Sequence, residues 1–119
     1  MRPGIQHAML FDRSTALERI GGDVVLLKEI AGIFLAEYPA LIQDIQIALA
    51  KADPSALERS AHSLKGSVAN FEARPAVEAA MKLEAMGRSG KLDGAQAAFA
   101  ELESILRSLE PELLQLRDE

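Results

Sequence analysis

Residues 53–71 read Asp-Pro-Ser-Ala-Leu-Glu-Arg-Ser-Ala-His-Ser-Leu-Lys-Gly-Ser-Val-Ala-Asn-Phe. Asp53-Pro54 is a helix start, with aspartate as the N-cap and proline at the first helical position. Leu57, Ala61, Leu64, Val68 and Phe71 follow at alternating fours and threes, the repeat of a helix with one buried face. Upstream, Asp12 or Ser14 can cap a short first helix carrying Leu17 and Ile20, which stops at Gly21-Gly22. Asp23 caps a long second helix reaching to about Ala52, with Leu27, Ile30, Phe34, Leu41, Ile45 and Ala48 as its apolar stripe. Tyr38-Pro39 interrupts it. The apolar period resumes in register afterwards, which predicts a kink; two separate helices are the alternative.

Downstream, Arg74-Pro75 opens a fourth helix with Ala76, Ala80, Leu83 and Met86 or Gly87 on its inner face, closed by Gly87 to Gly90. Asp93 is expected to cap a fifth, with the stripe Ala95, Phe99, Leu102, Ile105 or Leu106, Leu109, Leu113 and Leu116. Pro111 is expected to bend or fray its last turns. The resulting fold class is all-α: an up-down antiparallel four-helix bundle with an additional short N-terminal helix. Residues 1–10 are expected to form a flexible N-terminal arm and residues 11–119 the bundle domain.

Composition agrees. The 119 residues suit one hydrophobic core, and 49% hydrophobic with 26% charged residues is a globular balance. Alanine and leucine supply 20 and 17 residues, whereas Val, Ile and Thr together supply 13, which disfavours a sheet. The chain has no cysteine, hence no disulfide scaffold or thiolate metal site, and its two histidines are too far apart in sequence for a familiar zinc pattern. A net charge of −5 argues against nucleic acid as a partner. No apolar run approaches a membrane span and the N-terminus has no signal-peptide core, so a cytoplasmic location is expected.

Few residues carry a pattern that chemistry needs. Gly21-Gly22 lacks the strand and the Lys-Ser/Thr of a phosphate loop. No strained elbow presents a serine. His7 sits in the N-terminal arm as a plain surface residue. His62 differs from it. At about 100° per residue it lies about 140° from the centre of the buried face of its helix, on the water side. Side chains at i+3 and i+4 lean back over residue i, and here these are Lys65 and Gly66. Lys65 can place an ammonium beside the imidazole, while Gly66 leaves the ring uncovered, although glycine costs an exposed helix ~1 kcal/mol relative to alanine. Ala69, one turn on, is also small, and Glu58 and Arg59 flank the ring a turn earlier. An exposed imidazole offers a nucleophilic ring nitrogen near neutral pH. Without a nucleotide site, any phosphoryl group must come from another protein.

Residues 61–71, Ala-His-Ser-Leu-Lys-Gly-Ser-Val-Ala-Asn-Phe, resemble the signature segment of histidine-containing phosphotransfer (HPt) domains of bacterial multistep phosphorelays. Phe11-Asp12, the Gly21-Gly22-Asp23 turn, Phe34 and Leu83-Glu84 are similar to the family pattern in order and spacing, and the likeness covers roughly residues 10 to 116. The resemblance implies a four-helix bundle with His62 as phosphoacceptor, Lys65 in phosphoryl stabilisation and Gly66 in docking clearance. It implies response-regulator receiver domains and a hybrid sensor histidine kinase as partners. Mg²⁺ is then expected on the partner receiver only, with no cofactor or metal on this chain. The family usually has a glycine just after the signature helix, suited to a left-handed cap, where this chain has Glu72. That departure bears on the turn between the third and fourth helices and not on His62.

Other readings are weaker. Phosphoaccepting domains of chemotaxis kinases often carry a second histidine in the following helix, which Met81 and Leu83-Glu84 do not supply. Dimeric kinase hairpins resemble His-Glu-Leu-Lys/Arg-Thr-Pro, which Gly66 breaks. A non-catalytic helical adaptor has no use for the His62, Lys65 and Gly66 set. An N-terminal Met and a full set of helices favour a free-standing protein, and the four apolar stripes lead to the expectation of a monomeric bundle. Glu58 to Lys65 carries two cations and one anion, opposite in sign to the whole chain, a rim suited to an acidic receiver pocket. The apolar part of that docking surface is expected from Ile20, Val24 and Val25, with Glu58, Arg59 and Ala69 around the histidine.

Overall fold

A computed structural model describes residues 9–119, which form five α-helices: α1 (Arg13–Arg19), α2 (Val24–Ala50), α3 (Pro54–Ala69), α4 (Arg74–Ser89) and α5 (Ala95–Arg117). Helices α2 to α5 make a ring of four in which each packs on two neighbours, α3 on α2 and α4, α5 on the same two, while α1 rests on α2. Connections of three to five residues turn each of these helices back along the one before. The expected arm lies outside the described residues except for Met9 and Leu10, as does His7. The backbone N–H groups of Leu10 and Phe11 both donate to the carboxylate of Glu112 on α5, at 3.1 and 2.8 Å.

Three helix starts follow the aspartate signals. Asp12, Asp23 and Asp53 each accept a hydrogen bond from the backbone N–H three residues on, at 3.0–3.1 Å. The fourth signal is corrected: Asp93 does not cap α5. Its place is taken by Gly94, in the left-handed region at φ +83 without a side-chain cap. The Ala95 N–H closes a turn onto Leu92 C=O at 2.9 Å, which brings the helix entrance one residue past Asp93. Helix α2 passes Pro39 unbroken, so the two-helix alternative falls, and it ends at Ala50 rather than Ala52. Helix α5 likewise continues six residues beyond Pro111, with Leu113 and Leu116 buried, instead of fraying there. An interior proline removes one helix hydrogen bond and crowds the carbonyl four residues back, and here the flanking apolar contacts hold both helices together.

The stripe of α3 is fully buried from Leu57 to Val68, together with Phe71. On α2, Leu27, Phe34, Ile45 and Ala48 are buried with Ala31, whereas Ile30 and Leu41 are only partly covered. On α5 the inward choice falls on Leu106 and not Ile105. Helix α4 ends at Ser89 with Gly90 left-handed at φ +77, so Gly87 is an interior residue of the helix and does not close it.

The turn after α3 keeps the shape that a glycine would give it. Glu72 takes φ +51, a conformation costly for a residue with a Cβ. Its side chain is used: Glu72 pairs with Arg19, whose Nη1 also donates to Ala69 C=O at 2.8 Å. With Asp12 N–H bonded to Phe71 C=O at 3.0 Å, this fastens α1 over the C-terminal end of α3.

Candidate functional site

His62 projects from the outer face of α3 with its side chain 65% exposed. The α3 stripe faces inward, so the imidazole cannot turn into the core, and the neighbouring α4 supplies its partner. Nδ1 of His62 lies 2.8 Å from Oε2 of Glu84, a carboxylate that is itself only 7% exposed. The other oxygen of Glu84, Oε1, is 2.8 Å from Nζ of Lys65. Arg88, one turn further along α4, brings Nη2 to 3.2 Å from Oε2 and Nε to 3.0 Å from Glu58. One buried carboxylate therefore collects an imidazole and two cations.

Lys65 chiefly holds the Glu84 carboxylate below its ordinary value of 4.5; burial opposes this, and the His62 contact adds to the lowering. An ionised carboxylate can only accept hydrogen bonds, so Nδ1 of His62 must be the donor. In the neutral ring this leaves the lone pair on Nε2, which has no hydrogen-bond partner among the described residues and belongs to the exposed side of the ring.

The other residues singled out in the sequence fall into four groups. Lys65 neighbours the histidine as expected, but its ammonium is engaged by Glu84. Gly66 is exposed, and a Cβ built there would meet nothing within 4 Å, so no internal contact demands a glycine. Arg59 is exposed and donates back along α3 to Ser55 Oγ at 2.7 Å, while Glu58 is tied to Arg88. Ile20 is half-buried against the core, and Val24, Val25 and Leu26 are exposed at the start of α2. The Arg19–Ala69 hydrogen bond puts this end of α1 at the C-terminus of α3, two turns or about 10 Å along the helix from His62. Counting Glu84 and Arg88, the rim has three cations and two anions, the same single excess as the two cations and one anion read from α3 alone.

Glu84 as the partner of His62, and Arg88 beside it, were not assigned from the sequence. A readable signal existed: Glu84 sits four residues after Ala80 and three before Gly87, a carboxylate on the inward stripe of α4. Such a residue needs a partner, and the exposed histidine of the preceding helix was available. No three His, Cys, Asp or Glu side chains gather into a metal-ligand set among the described residues. None of their helices is long and apolar enough to cross a membrane.

A family model described as Hpt domain matches residues 29–116, which includes α3, α4 and nearly all of α5 and begins after α1 and the first turn of α2. No curated protein and no solved structure matches the chain.

Proposed function

The chain belongs to the Hpt domain family, which serves histidine phosphotransfer in phosphorelays, and we propose that within it His62 is the phosphoacceptor. The observation that carries this reading is the 2.8 Å hydrogen bond from Nδ1 to Glu84, which leaves Nε2 as the outward nucleophile. A receiver domain presents its phosphoaspartate over the bare side of α3 at Gly66. The Nε2 lone pair attacks phosphorus, the N–P bond forms, and the O–P bond breaks with its electrons returning to the aspartate carboxylate. The Nδ1 proton stays in place, and the ring, now cationic, faces the Glu84 carboxylate that stabilises it. Onward transfer is the reverse, onto a second receiver.

Lys65 and Arg88 stand next to the group that arrives. Each can exchange part of its contact with Glu84 for a charge-assisted contact to phosphoryl oxygens. The metal such a transfer uses belongs to the receiver, as does the acidic pocket that the positive rim attracts. Ile20, Val24 and the exposed Val25 add a small apolar contact, enough for a partner that must leave after each transfer.

The test is to incubate the protein with a phosphorylated receiver and follow acid-labile, alkali-stable label. His62→Gln is expected to keep its helical spectrum and to accept no label, since an exposed polar exchange costs under ~0.5 kcal/mol. Persistent label on the variant would refute the assignment, and absence of label on the wild-type chain with any receiver would favour an adaptor.

A further inference from the structure

Helix α4 carries a glycine in its interior, where a helix by itself is weakened by one. Gly87 lies between Glu84 and Arg88, three residues after the first and one before the second. Its backbone rests on the first turn of α3. A Cβ at this position would stand 2.6 Å from the nitrogen of Glu58, 2.7 Å from the carbonyl oxygen of Pro54 and 2.9 Å from the Cα of Glu58. All three are backbone atoms, and the Pro54 carbonyl and Glu58 N–H are the i to i+4 pair that a helix joins by a hydrogen bond. No rotamer change can relieve such a contact. The two other glycines inside described helices differ: a Cβ at Gly32 would meet only the end of Arg117 at 3.8 Å, and one at Gly66 would meet open space.

We infer that Gly87 is a positioning residue: by letting α4 lie against the first turn of α3 it sets the reach of Glu84 to His62, and so the tautomer presented to the receiver. The inference rests on the reading of His62 as phosphoacceptor. Glu84 has no slack, because its two oxygens are both at 2.8 Å, one from His62 and the other from Lys65. A Cβ at 2.6 Å must retreat by about 0.8 Å to reach ordinary contact at 3.4 Å. The same displacement at Glu84, one turn away on the helix, stretches the His62 contact from 2.8 to about 3.6 Å where it is directed along that contact, which is out of hydrogen-bond range. Nδ1 would then lose its acceptor, and the ring would divide between tautomers, one of which has its proton on Nε2 where the lone pair is needed.

The test uses the full chain as wild type, Gly87→Ala, Glu84→Asp, Glu84→Ala and Gly32→Ala. Imidazole ¹⁵N and ¹H resonances report the tautomer, with His62 assigned by difference from His62→Gln, and transfer from a phosphorylated receiver gives kcat and KM. Wild type and Gly32→Ala are expected to hold the proton on Nδ1. Gly87→Ala and Glu84→Asp are expected to move toward the Nε2–H form, as Glu84→Ala does, with kcat down about tenfold and KM within about twofold. Glu84→Asp shortens the reach by one methylene without touching the helix contact, so it decides the matter should Gly87→Ala fail to fold. A folded Gly87→Ala protein with wild-type tautomer and kcat would overturn the inference; so would an unfolded one accompanied by a wild-type-like Glu84→Asp. The resonances need no phosphate. A changed tautomer in Gly87→Ala together with label persisting on His62→Gln would overturn the phosphoacceptor reading and leave the spacing inference standing.

Discussion

Two seams of the same bundle are built differently. Between α3 and α4, the α4 side is lined by Ala76, Ala79, Ala80, Leu83 and Gly87, small residues apart from Leu83. On α2 and α5 the buried residues are mostly large, Leu27, Phe34 and Ile45 on one and Phe99, Leu102, Leu106, Leu109, Leu113 and Leu116 on the other, with Ala31, Ala48, Ala95 and Ala98 as the small exceptions. Aromatic packing strengthens that half, with Phe34 stacked on Tyr38 at 5.1 Å between centroids and edge-on to Phe71 at 5.6 Å. A groove of about 230 Å³ remains beside Tyr38, Pro39, Ile42, Glu103, Leu106 and Arg107. At Gly87 the α4 backbone stands directly against the first turn of α3, while a groove of about 160 Å³ remains at the other end of that seam beside Ala69, Glu72, Arg74 and Val77.

The difference separates two tasks. The large-residue seam buries the area that holds the fold together, and it tolerates a proline in each of its helices. The small-residue seam buries less per residue but brings polar side chains within reach across it, so that Glu84 can serve a histidine on another helix.

The sharpest way to break this comparison is to cut the large-residue seam. Leu109→Ala, at a fully buried position, is expected to lower stability by about 2–5 kcal/mol in denaturant titrations. Under native conditions its transfer rate per folded molecule should stay within about twofold of wild type. A loss of rate matching the loss of stability would show the seams to be one unit. Next in size is Glu84→Ala. It removes a charged hydrogen-bond partner worth about 1.5–3 kcal/mol, and transfer is expected to fall about ten- to a hundredfold in single-turnover assays while the helical spectrum persists.

A subtler test uses acid. The Glu84 carboxyl is lowered in the folded chain, first by Lys65 and also by His62. A lowered carboxyl contributes stability that is present above its unfolded value, near 4.5, and is lost as pH falls through the folded value. The melting point of wild type should therefore exceed that of Glu84→Gln at pH 6, and the gap should close progressively below pH 4.5. A gap independent of pH would place the stabilisation in packing instead. Smallest of all is Glu72→Gly. Relief of the left-handed strain, about 1–2 kcal/mol, is offset by a more flexible unfolded chain and by loss of a surface ion pair worth about 0–1 kcal/mol. Global stability should change by under about 1 kcal/mol, while hydrogen exchange in α1 quickens because Arg19 keeps only its contact with the Ala69 carbonyl.

Glu72 also shows where sequence reading was right for a partial reason. The turn after α3 takes a left-handed residue, and that this position favours glycine can be read from the family resemblance. That Arg19, 53 residues away, holds the glutamate that fills it cannot. Asp93 shows the opposite failure. Aspartate before an apolar period is a capping signal, but a left-handed Gly94 moved the helix entrance past it. An aspartate cap and a left-handed glycine turn are both open to such a segment, and local pattern does not separate them.

The sequence alone determined what depends on neighbours within about one helical turn: the five helices, three of their caps, the stripe of α3 from Leu57 to Phe71, and the outward direction of His62. Each is set by the 3.6-residue period and by hydrogen bonds to residues three or four positions away. Only the tertiary structure decided that Glu84 is the partner of that histidine, that Lys65 and Arg88 share its carboxylate, and that Gly87 lets the two helices come close enough. Those facts depend on the distance between two helix axes. That distance follows from how side chains of different size fill the space between them, and no single segment contains it.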